Sequence, residues 1–141
     1  MKILLVEPNF PIPPKSKNHS NFLPIGLLKI ASYHRSLKDK IELKRGNSPA
    51  NFKPDEIKIT SLFTYWSKYV KESVDYYRKL YPKASIEVGG IYASLMPEHC
   101  KAYTGCDKVR QGLYKRGVAE NFAPAYDLVN VDYQIVHASR G

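Results

Sequence analysis

The sequence predicts a small α/β domain built on a doubly wound parallel sheet. Short apolar segments that contain β-branched residues alternate with longer segments whose apolar residues recur at helical spacing, and turn residues separate the two kinds. With 141 residues, the chain is long enough to bury one hydrophobic core. Strands that alternate with helices of ten or more residues form a parallel sheet covered by helices on both faces.

The first half of the chain contains two predicted strands and one predicted helix. Lys2–Glu7 is a short apolar run that ends at Pro8-Asn9, and this pattern is typical of a buried strand. A proline-rich loop follows over residues 8–23, and because it is longer than most strand-to-helix connections we expect it to have a functional or lid role. The first helix has Pro24 in its first turn, and residues 41–44 form the second strand. The apolar face of this helix consists of Leu27, Ile30, Ala31, His34 and Leu37.

Three further strands are predicted in the second half of the chain. They are expected over residues 56–62, 85–88 and 107–110. In the first of them charged and apolar residues alternate, and the second runs directly into Gly89-Gly90. Beyond Gln111 the pattern weakens, and only residues 134–138 have the character of another strand.

Two helices are predicted between these strands. The first carries a stripe of apolar side chains and ends before Pro82. Its stripe consists of Trp66, Tyr69, Val70, Val74, Tyr77 and Leu80. Aromatic residues can stack on nucleic-acid bases, but at helical spacing we expect them to pack in the core. The second helix begins at Ser94 or Met96 and ends at Tyr103. Gly105 is its expected C-terminal stop.

This order of elements predicts a flavodoxin-like or Rossmann-like fold with five parallel strands and helices on both faces. In such sheets, ligands bind beyond the carboxyl ends of the strands, where the strand order reverses. The predicted binding edge consists of residues 8–21, 62–65, 89–94 and 111–115.

The chain carries a formal net charge of +9, from 22 Lys and Arg residues against 13 Asp and Glu residues. The lysines are scattered over nearly every predicted helix and turn, and they do not form one stripe interleaved with aromatic residues. This distribution favours a solvated basic surface over a nucleic-acid-binding surface. Nucleic acid is therefore not an expected partner.

The sequence predicts neither export nor a membrane span. No segment approaches the roughly 18 consecutive apolar residues of a membrane-spanning helix, and the apolar run after Met1 is too short for a signal peptide. We therefore expect a cytoplasmic location. Cys100 and Cys106 match neither a zinc site nor a disulfide framework, so we expect reduced, structural thiols.

Two features of the predicted binding edge are suited to a ligand. Gly89-Gly90 follows a strand directly, so its backbone can take a positive φ and offer bare N–H groups to a bulky or anionic ligand; alternatively, it is a tight turn that binds nothing. The run from Ser61 to Thr64 combines hydroxyl and apolar groups, which suits a large amphipathic ligand. Alternatively, Thr64 or Ser67 caps the next helix.

No catalytic or metal centre is predicted. His19 and His99 are candidate metal ligands or general bases, but neither has a partner at ligand spacing, so we expect both at the surface. The chain lacks GxGxxG and GxxxxGK[ST], the fingerprints of dinucleotide and P-loop sites. It also has no acidic pocket after the first strand, where a receiver-like phosphoacceptor would lie.

Several segments together match the pattern of one known family. They are residues 1–9, PIGLL at 24–28, TSL at 60–62 and EVGGIYASLMPE at 87–98. With them, the chain resembles the cobalamin-binding-type N-terminal domain of radical S-adenosylmethionine enzymes. YQIVHASRG at 133–141 is similar to the strand that enters the radical barrel in that family, just before a CxxxCxxC motif. The resemblance implies an accessory domain over residues 1–115 and, over residues 116–141, a linker with the first strand of a barrel that continues beyond this sequence.

The resemblance also implies a cofactor. Cobalamin would lie on the loops at the binding edge, whereas S-adenosylmethionine and a 4Fe-4S cluster would belong to the downstream barrel. The DxHxxG pattern, whose histidine ligates cobalt in many such domains, is absent, so cobalamin would bind without a histidine ligand. The implied cofactor-binding residues are Asn9, Phe10, Ser61, Leu62, Phe63, Thr64, Gly89, Gly90, Ile91, Tyr92, Ala93 and Ser94.

The function implied is that of an accessory domain of a radical S-adenosylmethionine iron-sulfur oxidoreductase or methyltransferase, which positions cofactor or substrate for the catalytic barrel. The alternative is a module of the same fold that binds no cofactor. Such a module would recognise a small-molecule substrate or a partner of the parent enzyme through its basic surface and proline-rich loop.

Overall fold

Five parallel strands form one sheet in the order β2-β1-β3-β4-β5 in the computed structural model, which describes residues 1–11, 24–112 and 122–128. The strands are β1 (Lys2–Glu7), β2 (Lys40–Arg45), β3 (Glu56–Ser61), β4 (Ser85–Gly90) and β5 (Lys108–Val109). Because β2 and β3 lie on opposite sides of β1, the strand order reverses between β1 and β3. The predicted doubly wound α/β fold is confirmed.

Four helices connect or flank the described strands. They are α1 (Ile25–Ser36), α2 (Ser67–Leu80), α3 (Ile91–Leu95) and α4 (Pro97–Thr104), and a single 3-10 turn at Thr64–Trp66 precedes α2. None of the helices in these ranges is both long and apolar enough to cross a bilayer.

The larger hydrophobic core lies between one face of the sheet and the helices α2 and α4. Leu4, Ile57 and Ile86 lie opposite one another in the registers of β1, β3 and β4, so their side chains share this face. The further buried members of this core include Val6, Ile59, Val88, Val70, Val74, Tyr77 and Cys100. The alternating residues of β1 face the other way, where Ile3 and Leu5 pack under α1.

The aromatic stripe of α2 packs in this core, as its helical spacing predicts. Tyr77 is fully buried, and its hydroxyl donates a hydrogen bond of 3.0 Å to the carbonyl oxygen of Ser48. Trp66 and Tyr69 are partly buried against the same core. Leu80 was predicted to pack in the core with this stripe, but it is 41% exposed because it is the last residue of α2.

The helix predicted from Ser94 or Met96 onward is in fact two helices. α3 begins directly after β4 and ends at Leu95. Met96 has a non-helical backbone conformation, and α4 then begins at Pro97, a residue that is tolerated in the first turn of a helix. α4 ends at Gly105, whose φ of +75° is left-handed, as expected for a C-terminal stop.

The described segment 122–128 lies along α1. The Ala125 amide donates to the Leu28 carbonyl oxygen at 3.1 Å, and the Arg35 guanidinium makes two hydrogen bonds to the Asp127 carboxylate at 2.8 and 2.7 Å. The strand predicted over residues 134–138 and the boundary predicted at residue 115 lie outside the described residues.

Candidate functional site

The carboxyl ends of β1, β3 and β4 lie side by side at one edge of the sheet. β3 is hydrogen-bonded to β1 on one side and to β4 on the other, and Ser61 lies opposite Gly90 in the register. The loops that follow these strands therefore emerge next to one another, beside the point where the strand order reverses. We call this region the binding edge.

A group of aromatic side chains occupies the binding edge, and we call it the aromatic cluster. Its members are Phe10, Phe63, Tyr65, Trp66 and Tyr69. Phe10 stacks on Trp66 with ring centroids 5.5 Å apart, which joins the loop after β1 to the turn after β3. Phe63 stacks on Tyr65 at 5.1 Å with an angle of 11° between the ring planes.

Part of the aromatic cluster is exposed. Tyr65 is 71% exposed and Phe63 is 44% exposed, whereas Phe10 is buried beneath Trp66. Asn9 and Thr64 are also exposed, so an amide and a hydroxyl accompany the exposed rings. A stacked aromatic pair with polar groups on the same loops can bind a broad ligand that is apolar on its face and polar at its rim.

Ser61 joins the ends of β3 and β4. Its hydroxyl donates a hydrogen bond of 2.6 Å to the Gly89 carbonyl oxygen and accepts one of 3.2 Å from the Ala93 amide. Since Ser61 is only 1% exposed, these two bonds are internal to the protein. The hydroxyl therefore fixes the geometry of the edge.

The twelve residues implied by the resemblance differ in exposure. The exposed ones are Asn9, Phe63, Thr64 and Ile91. The half-buried ones are Leu62, Gly89, Gly90 and Ser94. The buried ones are Phe10, Ser61, Tyr92 and Ala93. All lie in or directly after the carboxyl ends of β1, β3 and β4, but only the first two groups present surface to a ligand.

No side-chain cap begins the 3-10 turn at Thr64–Trp66 or the helix α2. The alternative that Thr64 or Ser67 serves as a helix cap is therefore wrong. Thr64 is exposed at the binding edge, and its hydroxyl does not cap a helix.

Two exposed apolar residues that follow β4 were not predicted from the sequence. Leu95 is 68% exposed and Met96 is 41% exposed, and they continue the apolar surface that begins at Ile91, which is 52% exposed. Trp66 was predicted in the helix stripe and not at the edge. The run from Phe63 to Trp66 could have indicated an aromatic surface at the edge, because three aromatic residues within four positions at a strand end do not follow helical spacing.

Glu7 is a buried carboxylate at the end of β1. Arg45, opposite it on β2, donates a hydrogen bond of 2.8 Å from Nε to Oε1 of Glu7. Burial raises the pKa of Glu7, and the hydrogen bond and charge of Arg45 offset only part of that rise. Glu7 and Arg45 are the last residues of β1 and β2, and by strand alternation their side chains lie on the face of the sheet that packs under α1.

The histidines that the structure describes do not form a metal site. His99 is exposed on α4, as predicted, and its Nδ1 lies 2.6 Å from the Tyr92 hydroxyl, whose pKa burial raises to about 12. His34 pairs with Asp39 at 2.8 Å. The described part of the chain contains no group of three or more His, Cys, Asp or Glu side chains that could hold a metal ion. His19 lies outside the described residues.

Cys100 and Cys106 are both buried and unbridged. A hydrogen bond between the two thiols lowers the pKa of Cys106 to about 6 and raises that of Cys100. The Thr104 hydroxyl, which donates to the Cys100 carbonyl oxygen at 2.6 Å, lies in the turn between them. A structural role for the two thiols stays a prediction.

No family model matches the chain, and no curated protein matches it. Among solved structures, it is similar to a novel cobalamin-binding protein from Desulfitobacterium hafniense DCB-2, with a TM-score of 0.56 and 14% sequence identity. The match covers 77% of this chain and 52% of that protein, so it spans about half of that protein's length. At this identity the similarity establishes a shared fold.

Proposed function

We propose that this domain binds cobalamin at the binding edge and that it is an accessory domain of a radical S-adenosylmethionine enzyme. The observation that carries the cobalamin proposal is the exposed part of the aromatic cluster, which lies where doubly wound sheets bind ligands. The shared fold with a protein described as cobalamin-binding supports it.

The exposed residues suit the shape and chemistry of a corrin. A corrin has a broad, largely apolar face and polar amide side chains at its rim. Phe63 and Tyr65 would contact the face, while Asn9 and Thr64 would bond to the rim. When bound, cobalamin would supply cobalt-centred group-transfer chemistry. The described residues of the binding edge include no histidine, and they would contribute packing and hydrogen bonds there.

Titration of the purified chain with hydroxocobalamin, followed by isothermal calorimetry and by the corrin absorption spectrum, tests this proposal. Tyr65→Ala removes an exposed ring and should weaken binding about three- to tenfold, the usual worth of one aromatic contact. Leu80→Ala is the control, because Leu80 is 41% exposed at the C-terminal end of α2, the helix that begins after the carboxyl end of β3 and returns along the sheet to the amino end of β4. Absence of saturable binding, or equal weakening by both variants, would contradict the proposal.

A second candidate function is recognition of a small molecule or a partner without a cofactor. Burial of Phe10, Tyr92 and Ala93 favours it, because the protein's own side chains fill part of the binding edge. The two candidates make opposite predictions for the calorimetric titration. Saturable binding of hydroxocobalamin that depends on Tyr65 would exclude the cofactor-free function.

The radical S-adenosylmethionine partnership is a separate part of the proposal. It requires a CxxxCxxC motif shortly after Gly141 in the encoded protein, because three thiolates hold the 4Fe-4S cluster of such a barrel. Sequencing of the gene downstream of the codon for Gly141 tests it directly. A stop codon or an unrelated sequence there would exclude the barrel and leave the cobalamin proposal standing. The cytoplasmic location stays a prediction.

A further inference from the structure

The two cysteines of the chain lie on either side of one tight turn. Cys100 is on α4, and Cys106 follows Gly105, the glycine at which this helix ends. Both side chains belong to the hydrophobic core between the sheet and the helices α2 and α4. The sequence contains no other cysteine, so each thiol is the only one in the chain with which the other can pair.

The Thr104 hydroxyl fixes the turn between the two cysteines. It donates a hydrogen bond of 2.6 Å to the Cys100 carbonyl oxygen and accepts one of 3.3 Å from the Cys106 amide. Gly105 has a φ of +75°, which ends the helix and turns the chain towards β5. The turn brings the two thiols close enough to share a hydrogen bond. From such contact, only a small movement leads to a disulfide bond of about 2.05 Å.

The two thiols differ in exposure and in ionisation. Cys100 is fully buried, whereas Cys106 is 4% exposed and lies between two exposed residues, Gly105 and Asp107. The Cys100 thiol donates the shared hydrogen bond, which lowers the pKa of Cys106 to about 6 and raises that of Cys100. The thiolate, which is the form that reacts with oxidants, is therefore on Cys106 at neutral pH.

Asp107 and Tyr92 are titratable neighbours of the pair. The charge of Asp107 raises the pKa of Cys106, but by less than the hydrogen bond from Cys100 lowers it. The Asp107 carboxylate is itself paired with Arg78 of α2 at 2.7 Å. On α3, burial raises the pKa of the Tyr92 hydroxyl to about 12, so this group stays protonated at neutral pH. Neither neighbour replaces Cys100 as the donor to the Cys106 thiolate.

We propose that Cys100 and Cys106 form a redox-active pair that hydrogen peroxide converts into a disulfide. The Cys106 thiolate attacks one oxygen of the peroxide, the O–O bond breaks, and hydroxide leaves as Cys106 becomes a sulfenic acid. The sulfur of Cys100 then attacks the sulfur of Cys106, the S–O bond breaks, and water leaves as the disulfide forms. The hydroxide takes up the proton that Cys106 released on ionisation. The two thiols thereby lose two electrons, and the peroxide is reduced to two water molecules.

The thiol pair and the binding edge are separate sites. Cys106 precedes β5, and the amide of the next residue, Asp107, donates to the carbonyl oxygen of Ile86 near the amino end of β4. The aromatic cluster follows the carboxyl ends of the strands. The redox proposal therefore does not depend on the cobalamin proposal, and either can fail alone.

Treatment of the purified, reduced chain with one equivalent of hydrogen peroxide tests the proposal. Both thiols should be lost together, and the chain should stay monomeric on a non-reducing gel. Trypsin cleaves after Lys101, between the two cysteines, so mass spectrometry should find two peptides joined by a bond that dithiothreitol breaks. The rate of thiol loss should rise as the pH rises through about 6, where Cys106 ionises.

Two variants assign the roles of the thiols. Cys100→Ala should form a sulfenic acid at Cys106 that dimedone traps, and no disulfide. Cys106→Ala should lose its remaining thiol about tenfold more slowly than the wild type at pH 7, because burial keeps Cys100 protonated. Equal dimedone labelling of the two variants would overturn the proposal.

The wild-type chain supplies a test that needs no substitution. A disulfide between two chains would overturn the proposal. So would thiols that react only when the chain unfolds, or a rate of thiol loss that rises only in the ordinary range of thiol ionisation.

Discussion

The backbone of Gly90 lies so close to Ser61 that a β-carbon on Gly90 would be 2.4 Å from the Ser61 carbonyl oxygen. Gly90 also has a φ of +100°, in the region that residues with a β-carbon rarely adopt. This contact, together with the hydrogen bonds of the Ser61 hydroxyl, holds the carboxyl ends of β3 and β4 together. The glycine at this position is therefore required for the approach of the two strands.

Gly90→Ala should destabilise the protein by about 3 kcal/mol, because it combines an unfavourable φ with an overlap against backbone atoms. Urea denaturation measures the change. Gly26→Ala is the matched control, since a β-carbon on Gly26 would meet no described atom within 4 Å beyond its own stretch of α1. An alanine there should stabilise by about 0.5–1 kcal/mol. Equal stabilities for the two variants would contradict the account of Gly90.

Ser61→Ala should destabilise the protein by about 1–3 kcal/mol, because it leaves the buried carbonyl of Gly89 and amide of Ala93 without the hydroxyl. The free energy of unfolding from urea denaturation is again the measurement. Ser36→Ala, at the exposed end of α1, should change stability by no more than about 0.5 kcal/mol. A cost at Ser61 no larger than that at Ser36 would show that its hydroxyl does not support the edge.

Glu7 should titrate above the ordinary range of a glutamate. Because its pKa is raised in the folded state, the native protein binds more protons than the unfolded chain between the two pKa values. Its contribution to stability is therefore greatest below the unfolded pKa and falls as the pH rises through the folded pKa. Glu7→Gln should remove this fall in denaturation experiments across that pH range, whereas Glu98→Gln on the exposed surface of α4 should not.

Arg45→Gln extends the test of Glu7. It removes a group that lowers the pKa of Glu7, so the pKa should rise further. An NMR titration of the Glu7 side-chain carboxyl carbon measures it directly. A pKa at or below the ordinary value in the wild-type chain, or no rise in the variant, would contradict the assignment of burial as the main cause.

The thiol of Cys106 should ionise below the ordinary range because the Cys100 thiol donates a hydrogen bond to it. Cys100→Ala should therefore raise the pKa of Cys106. Thiolate absorbance in the ultraviolet, followed against pH, measures the change. Cys106→Ala is the control, because it should abolish the low-pH titration. Persistence of that titration in Cys106→Ala would assign it to Cys100 and contradict the direction of the hydrogen bond.

Most of the fold could be predicted from the sequence because its strands and long helices have clear periodicity. The apolar run of β1 and the amphipathic pattern of α2 are both visible in single segments. Gly105 was predictable as a helix stop because a left-handed residue at that position favours glycine. α3 was missed because five residues are too few to show helical periodicity.

The position of the binding edge could also be predicted, but the exposure of its side chains could not. A strand end identifies a loop, whereas burial of Phe10 depends on Trp66 and Tyr69, which lie far from it in the chain. Tyr92 is likewise buried through contacts of a short helix with the core. The ion pairs of Glu87 with Lys58 and Arg110 were not predicted, because the charges of β3, β4 and β5 become one surface only when the strands are paired.

The most direct test of the cobalamin proposal is an amide chemical-shift map of the ¹⁵N-labelled chain with hydroxocobalamin. Contact with the aromatic cluster predicts the largest changes at Asn9, at residues 63–66 and at Ile91, with smaller changes at the amino ends of the strands. Changes confined to the amino ends of β3, β4 and β5, or no changes at a corrin concentration well above that of the protein, would contradict it.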